Sequence, residues 1–257
     1  MCGRYHITRP IAAMAEIFGF DERPNVPPGY NIAPTMPVPI VRPHDREDRL
    51  ELSFVRWGLV PSWSKEPLRN PPLINARAET IWEKPSFRSS VRRRRCLMPC
   101  DGFWEWQRNI GGDPKRKQAY RVHRADDQML VMGAIWEHWL GDDGSEIESC
   151  AIVTVPPNRA MAEIHHRMPV ILGPDQWQEW LLGGDDLGGA ETPDTFRNID
   201  AMMSPCPSYW LSIYAVDNRV GSISHDDPGL LDPLERVQPT QDAANAVTAQ
   251  PKQGNLF

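Results

Sequence analysis

The 257-residue chain is 40% hydrophobic with a formal net charge of −6, enough apolar material for one sizeable core without a second domain. No apolar run approaches the ~18 residues needed to cross a bilayer, and no basic-then-apolar signal pattern opens the chain, so a soluble cytoplasmic protein is expected. Its five cysteines, Cys2, Cys96, Cys100, Cys150 and Cys206, form an odd and scattered set that does not suggest a disulfide framework.

In chain order, Pro10 to Phe18 reads as a short amphipathic helix with Ile11, Met14, Ala15 and Phe18 on one side. Asn25 to Pro37 is rich in Pro and Asn and reads as irregular loop. Leu50 to Trp57 alternates as a half-buried strand, and Pro61 to Pro72 as a Trp- and Pro-bearing loop. Ala76 to Arg95 reads as mostly helical with a break at Pro85. Further strands are expected at Cys96–Met98, Phe103–Trp106, Ala119–Val122, Met129–Trp136, Cys150–Val155 and Trp210–Val216. Helices are expected to begin near Pro174 and Pro193, with a flexible connection from Gly183 to Gly189. The elements do not alternate regularly, which argues against a doubly wound parallel sheet. The expected fold is a single α+β domain over residues 2–235, its mixed, curved β-sheet forming a barrel-like core with peripheral helices. A polar tail follows at 236–257 and is expected to be disordered.

The chemistry begins at Met1-Cys2-Gly3-Arg4-Tyr5. Methionine removal in front of a small side chain would leave Cys2 with a free amine beside its thiol. The amine, with a pKa near ~8, can form an imine with an aldehyde, and the thiol can close that imine into a thiazolidine. Cys2 could equally serve as an N-terminal nucleophile carrying its own base. Cys96 and Cys100 lack a partner pair at zinc spacing and read as buried small hydrophobes rather than metal ligands.

Three further segments have the composition of site loops: Asn75-Ala76-Arg77-Ala78-Glu79-Thr80, Asp101-Gly102-Phe103-Trp104-Glu105-Trp106 and His165-His166-Arg167-Met168-Pro169. Glu105 stands between two tryptophans, where desolvation would raise its pKa toward neutrality and suit it to proton transfer. Strand alternation also permits an outward-facing Glu105. Adjacent His165 and His166 point apart in extended chain, which argues against paired metal ligation. Arg88 and Arg92 to Arg95 form a dense basic run, readable as a phosphate-binding face or as a solvated helix end. The ten tryptophans include several beside Pro, Gly and Arg, an arrangement compatible with base stacking.

Together with Tyr30-Asn31-Ile32-Ala33-Pro34 and Arg56-Trp57-Gly58-Leu59-Val60-Pro61, these segments resemble the SOS-response-associated peptidase (SRAP) family of abasic-site sensors. They occur in the family's order over about residues 2 to 225. His166 departs from the family, which often has Asp there, and the loop between Trp63 and Pro71 looks longer than in compact members.

The resemblance implies that the partner is single-stranded DNA carrying an abasic site, and it implies no metal or organic cofactor. Cys2 would attack the ring-opened sugar and close a thiazolidine, leaving a stable DNA–protein crosslink. Glu105 would shuttle protons, Asn75 would hold the Cys2 amine, and His165 would orient the opened sugar. Arg4 and Arg77 would grip flanking phosphates, Asn31 would add a polar contact, and Trp63 would stack on a base or wedge at the lesion. A monomer suffices for this chemistry, and DNA binding would bring it to the nucleoid.

Two other readings compete. Class II glutamine amidotransferases also begin Met-Cys-Gly, but their other motifs are not found here. A non-catalytic single-strand-binding module would use the same Arg and Trp without a free Cys2. Separately, Gln253, Leu256 and Phe257 at the tail resemble a sliding-clamp-binding peptide.

Overall fold

The computed structural model describes residues 2–68, 70–183 and 196–234. The strands in chain order are β1 (Tyr5–Ile7), β2 (Gly29–Ile32), β3 (Pro37–Pro43), β4 (Leu50–Trp57), β5 (Asn75–Arg77) and β6 (Arg95–Cys100). They continue with β7 (Gly102–Arg108), β8 (Lys117–Arg124), β9 (Leu130–Leu140), β10 (Glu146–Val155), β11 (Met168–Pro169) and β12 (Leu211–Val216). The α-helices are α1 (Ile11–Phe18), α2 (Ala78–Ile81), α3 (Arg88–Arg93), α4 (Arg159–Ala162), α5 (Trp177–Leu182) and α6 (Arg197–Met202).

Strands β10, β4, β3, β6 and β9 pair in that order, and β9 returns to β10, closing a five-stranded barrel. Short β5 and β11 add to β10. A second, antiparallel sheet runs β12-β8-β7-β1-β2. Only Asp101 separates β6 from β7, so one continuous run of chain passes from barrel to second sheet. The main core, built on both faces of the barrel strands, contains Val38, Ile40, Trp57, Leu97, Met132, Ile135 and their neighbours. The outer face of the second sheet covers a smaller cluster around Trp104, Ala119, Val216, Val220 and Leu230. The fold is therefore the expected α+β domain with a barrel core.

Helix α1 forms where its apolar spacing predicts, with Ile11, Met14, Ala15 and Phe18 buried. Gly19 ends it in the left-handed region at φ 76°, its N–H donating to Ala15 O at 2.8 Å. Several expectations need correction. Asn25 to Pro37 is not wholly loop: β2 pairs with β1, and the Asp226 carboxylate accepts the Tyr30 and Asn31 N–H groups at 2.6 and 2.9 Å. Tertiary partners, not local alternation, make that strand. The proline-rich β3 pairs with β4 along its whole length but with β6 only at Val41 opposite Leu97, so its missing N–H donors cost little. Asn75 to Arg77 is strand rather than the start of a helix, because it lies parallel to Ile152–Thr154 of β10. The break at Pro85 is real, with α2 and α3 on either side. Helix α5 follows a 3-10 turn begun by Pro174. Pro193, the connection after Gly183 and the tail carrying Gln253, Leu256 and Phe257 lie outside the described residues. No described helix is long and apolar enough to cross a membrane.

The basic run at the end of α3 is divided by the fold. Arg94 pairs with buried Glu137 at 2.8 Å. Arg95 is 2% exposed and donates to Trp180 O, Val91 O and Arg92 O at 2.5, 2.8 and 2.7 Å. Truncating Arg95 to Leu strands those carbonyls and is expected to cost about 3 kcal/mol. Urea unfolding checks this, and an unchanged midpoint would show that these bonds carry no net stability.

Candidate active site

Four distant segments converge at the seam between the two sheets. Cys2 enters ahead of β1, which pairs with β7 through Tyr5–Phe103 and His6–Gly102. Strand β7 carries Glu105, and Trp104 N–H donates to Arg4 O at 3.0 Å, so the N-terminal segment runs alongside the glutamate. From the barrel side, Asn75 at the start of β5 donates from Nδ2 to Cys2 O at 3.0 Å. Its Oδ1 is buried without a hydrogen-bond partner among the described residues, leaving an acceptor close to the N-terminal residue.

His165 is delivered by a tight turn. The Asn158 side chain caps α4 by accepting from Met161 N at 2.9 Å, and His165 N returns to Met161 O at 2.8 Å. The ring's Nδ1 then lies 3.1 Å from both the N–H and the carbonyl of Arg167, and 3.8 Å from Glu105 Oε1. Cys2, Asn75, Glu105 and His165 are thus brought together.

Glu105 is 2% exposed. Burial raises its carboxyl pKa. The cause differs from the sequence expectation. Alternation places Phe103 and Glu105 on one face of β7 and Trp104 and Trp106 on the other. Phe103 belongs to the main core, whereas the two tryptophans pack in the second cluster. The main core desolvates Glu105 rather than a tryptophan sandwich, and the outward-facing alternative is overturned because both faces of β7 are covered here. The Cys2 thiol is pushed up, first by burial and then by the charge of Glu105. It therefore rests as a neutral thiol, a weak nucleophile until a base takes its proton. Burial lowers the His165 pKa, favouring a neutral imidazole at pH 7.

The expected DNA-contact residues are placed unevenly. Arg77 is exposed at the end of β5, and its side chain makes no hydrogen bond or ion pair among the described residues. Arg4 is half-buried, with Nη1 donating to Asn31 Oδ1 at 2.8 Å and Val220 O at 3.1 Å and Nη2 to Gly221 O at 3.2 Å. Asn31 is buried and its Nδ2 faces the carbonyls of Val220, Ser222 and His225 at 2.7–3.1 Å. Both ends of its amide serve the fold, so it orients Arg4 and fastens the 220–225 segment. Trp63 is 62% exposed on the wall of an open cleft of about 550 Å³, with Pro61, Ser64, Lys65, Glu66 and Asn70. No described contact joins it to Cys2.

Two residues of the motif segments have supporting roles that the sequence reading did not assign. Trp57, buried in the barrel, donates its indole N–H to Ile74 O at 3.1 Å and so fixes the residue before Asn75. Arg167 holds Glu79 through both guanidinium nitrogens, joining the His165 turn to the Asn75 segment. An Arg inside the apolar Met168-Pro169 context was the available signal, since a buried Arg needs a carboxylate partner.

The profile of the SOS response associated peptidase (SRAP) family matches residues 1–223. The abasic site processing protein YoqW of Bacillus subtilis is 32% identical over 90% of this chain and 99% of its own. The abasic site processing protein YedK of Escherichia coli is 29% identical over 91% of this chain and 100% of its own. A crystal structure of a Bacteroides thetaiotaomicron protein superposes with a TM-score of 0.75 at 25% identity, covering 90% of this chain and 99% of that one. With the profile spanning both sheets and all four converging segments, the chain belongs to the SOS response associated peptidase family.

Proposed function

We propose that this protein processes abasic sites in single-stranded DNA by crosslinking them covalently to Cys2. The convergence of Cys2, Asn75, Glu105 and His165 carries the reading, supported by relatives named abasic site processing proteins. Removal of Met1 turns the Cys2 nitrogen into a free amine. In its ring-opened form an abasic sugar exposes an aldehyde at C1′. The amine adds to C1′ and water leaves, giving an imine. The neutral thiol then adds across the C=N bond, its proton passing to the nitrogen, and a five-membered thiazolidine results. The net change is aldehyde plus aminothiol giving thiazolidine plus water, with no strand cut.

Each group has a task matched to its state. Glu105, with its elevated pKa, donates the proton that opens the sugar ring and later relays the thiol proton to the imine nitrogen. Because the thiol is held neutral, the amine attacks first. Asn75 Oδ1 receives an N–H of the Cys2 amine and directs its lone pair. His165, neutral and beside Glu105, orients the opened sugar. Arg77 and Arg4 contact flanking phosphates, and Trp63 stacks on a neighbouring base.

The test is intact-mass and denaturing-gel analysis of protein with a verified Cys2 terminus, mixed with an oligonucleotide bearing one abasic site. The expected product has the summed mass less one water, on an uncut strand. A cut strand without adduct, or no reaction, overturns the reading. Asn75→Ala is expected to slow adduct formation about 10- to 100-fold with noncovalent binding nearly unchanged, as lost orientation predicts.

A further inference from the structure

The hairpin joining β7 to β8 projects from the candidate site and is strongly basic on an acidic protein. Its outer part, Arg108 to Lys117, carries Arg108, Lys115, Arg116 and Lys117 against Asp113 alone, while the whole chain has a net charge of −6. All four cations are exposed. Arg108 and Lys117 stand directly opposite each other in the ladder. Like charges in that register are destabilising, and no described carboxylate pairs with either of them.

The arm is fixed at both ends. Its root lies beside the site, for Arg108 follows Glu105 by three residues on one strand, about 10 Å at strand rise. Tyr120 OH donates to Gln107 Oε1 at 3.2 Å, and Gln107 Nε2 donates to Glu163 O at 2.9 Å, at the start of the His165 turn. The tip is shaped by Asn109, Gly111 and Gly112, all in the left-handed region at φ 58°, 64° and 81°. Lys115 N–H and Arg116 N–H close on Asp113 at 2.8 and 3.1 Å. Lys117 Nζ lies 4.0 Å from where a Cβ on Gly221 would sit, and Gly221 O is the acceptor of Arg4 Nη2. The arm's cations therefore continue the positive charge of Arg4 outward, away from Cys2.

We propose that this arm is a second DNA-contact surface, binding the phosphates of single-stranded DNA beyond the nucleotides next to the lesion. The inference rests on the abasic-site reading and extends it from the reacting sugar to the flanking strand. Phosphate neutralisation offsets the Arg108–Lys117 repulsion when DNA is bound. Contacts of this kind position the strand without reading its sequence.

The experiment compares wild type with Lys115→Gln/Arg116→Gln/Lys117→Gln on two substrates: a trinucleotide with a central abasic site, and a long oligonucleotide whose flanks run past the arm. On the long strand, half-saturation for adduct formation is expected to rise about 10-fold. The slope of log affinity against log salt should become less negative by about 2, for three lost phosphate contacts on a single strand. The rate at saturating DNA, and all behaviour on the trinucleotide, should match wild type. Lys115→Arg/Lys117→Arg should retain tight binding of the long strand. Equal affinity and salt slope for wild type and the Gln variant on the long strand overturn the arm as a DNA surface, as does equal weakening on both substrates. Absence of adduct from wild type on either substrate instead overturns the covalent reading. Unmodified long strands, measured by anisotropy, then still test the arm.

Discussion

Replacing Cys2 with Ala is expected to abolish the heat-stable adduct altogether while leaving noncovalent DNA binding within about twofold of wild type. The amine survives in this variant, since Met1 is still followed by a small residue, so an imine can form. Without the thiol it cannot close. An imine hydrolyses on heating, so the gel band disappears, yet borohydride should trap the Cys2→Ala imine as a stable amine. Wild type shows the reverse, because a closed thiazolidine offers no C=N bond to reduce. The buried, neutral state of the Cys2 thiol sharpens this contrast. If the amine could reach C1′ only after the thiol had attacked it, removing the thiol would also eliminate the borohydride-trapped product. Trapped Cys2→Ala adduct shows that the amine attacks C1′ without help from the thiol, whereas no trapped product from Cys2→Ala shows that the amine depends on sulfur and overturns the order proposed here.

Much of the fold was legible because it rests on local pattern. Ile11 to Phe18, Leu50 to Trp57 and the strands from Cys96 through Val155 carry their periodicity openly, and each formed where expected. Two of the strands that were missed owe their existence to partners far away in sequence. Asn75 to Arg77 extends because β10 lies beside it, and Gly29 to Ile32 because β1 and Asp226 do. The site shows the same division. Its residue types could be picked out from motifs, but their meeting depends on β1–β7 and β5–β10 pairing across long loops, which periodicity does not report. The side on which Glu105 faces was undetermined for a related reason. Alternation gives two faces, and only the packed second cluster shows that both are covered. The engagement of Arg4 and Asn31 with the 220–225 segment left no trace in composition.

Glu105→Gln is expected to slow adduct formation at saturating DNA by about 10²-fold or more, the usual reach of a positioned proton donor, while stabilising the fold at neutral pH. The two effects have one cause. Burial raises the Glu105 carboxyl pKa above its unfolded value. Below the unfolded value, ~4.3, both states are protonated and burial carries no ionisation penalty. Between the unfolded and folded values the native state binds more protons than the unfolded one, so wild-type stability falls as pH rises through that window. A glutamine keeps the shape and does not ionise, so its advantage should be present at neutral pH and vanish as pH drops below the unfolded value. Urea unfolding across that range measures this directly. The pH–rate profile supplies the second readout: a limb set by Glu105 in wild type should be missing from the variant, whose slow rate then follows the Cys2 amine alone. Thermodynamic gain with kinetic loss marks a residue held at a cost in stability for its proton. Wild-type rates from Glu105→Gln would move that proton transfer to His165 or to solvent, and leave the burial of Glu105 without a chemical purpose.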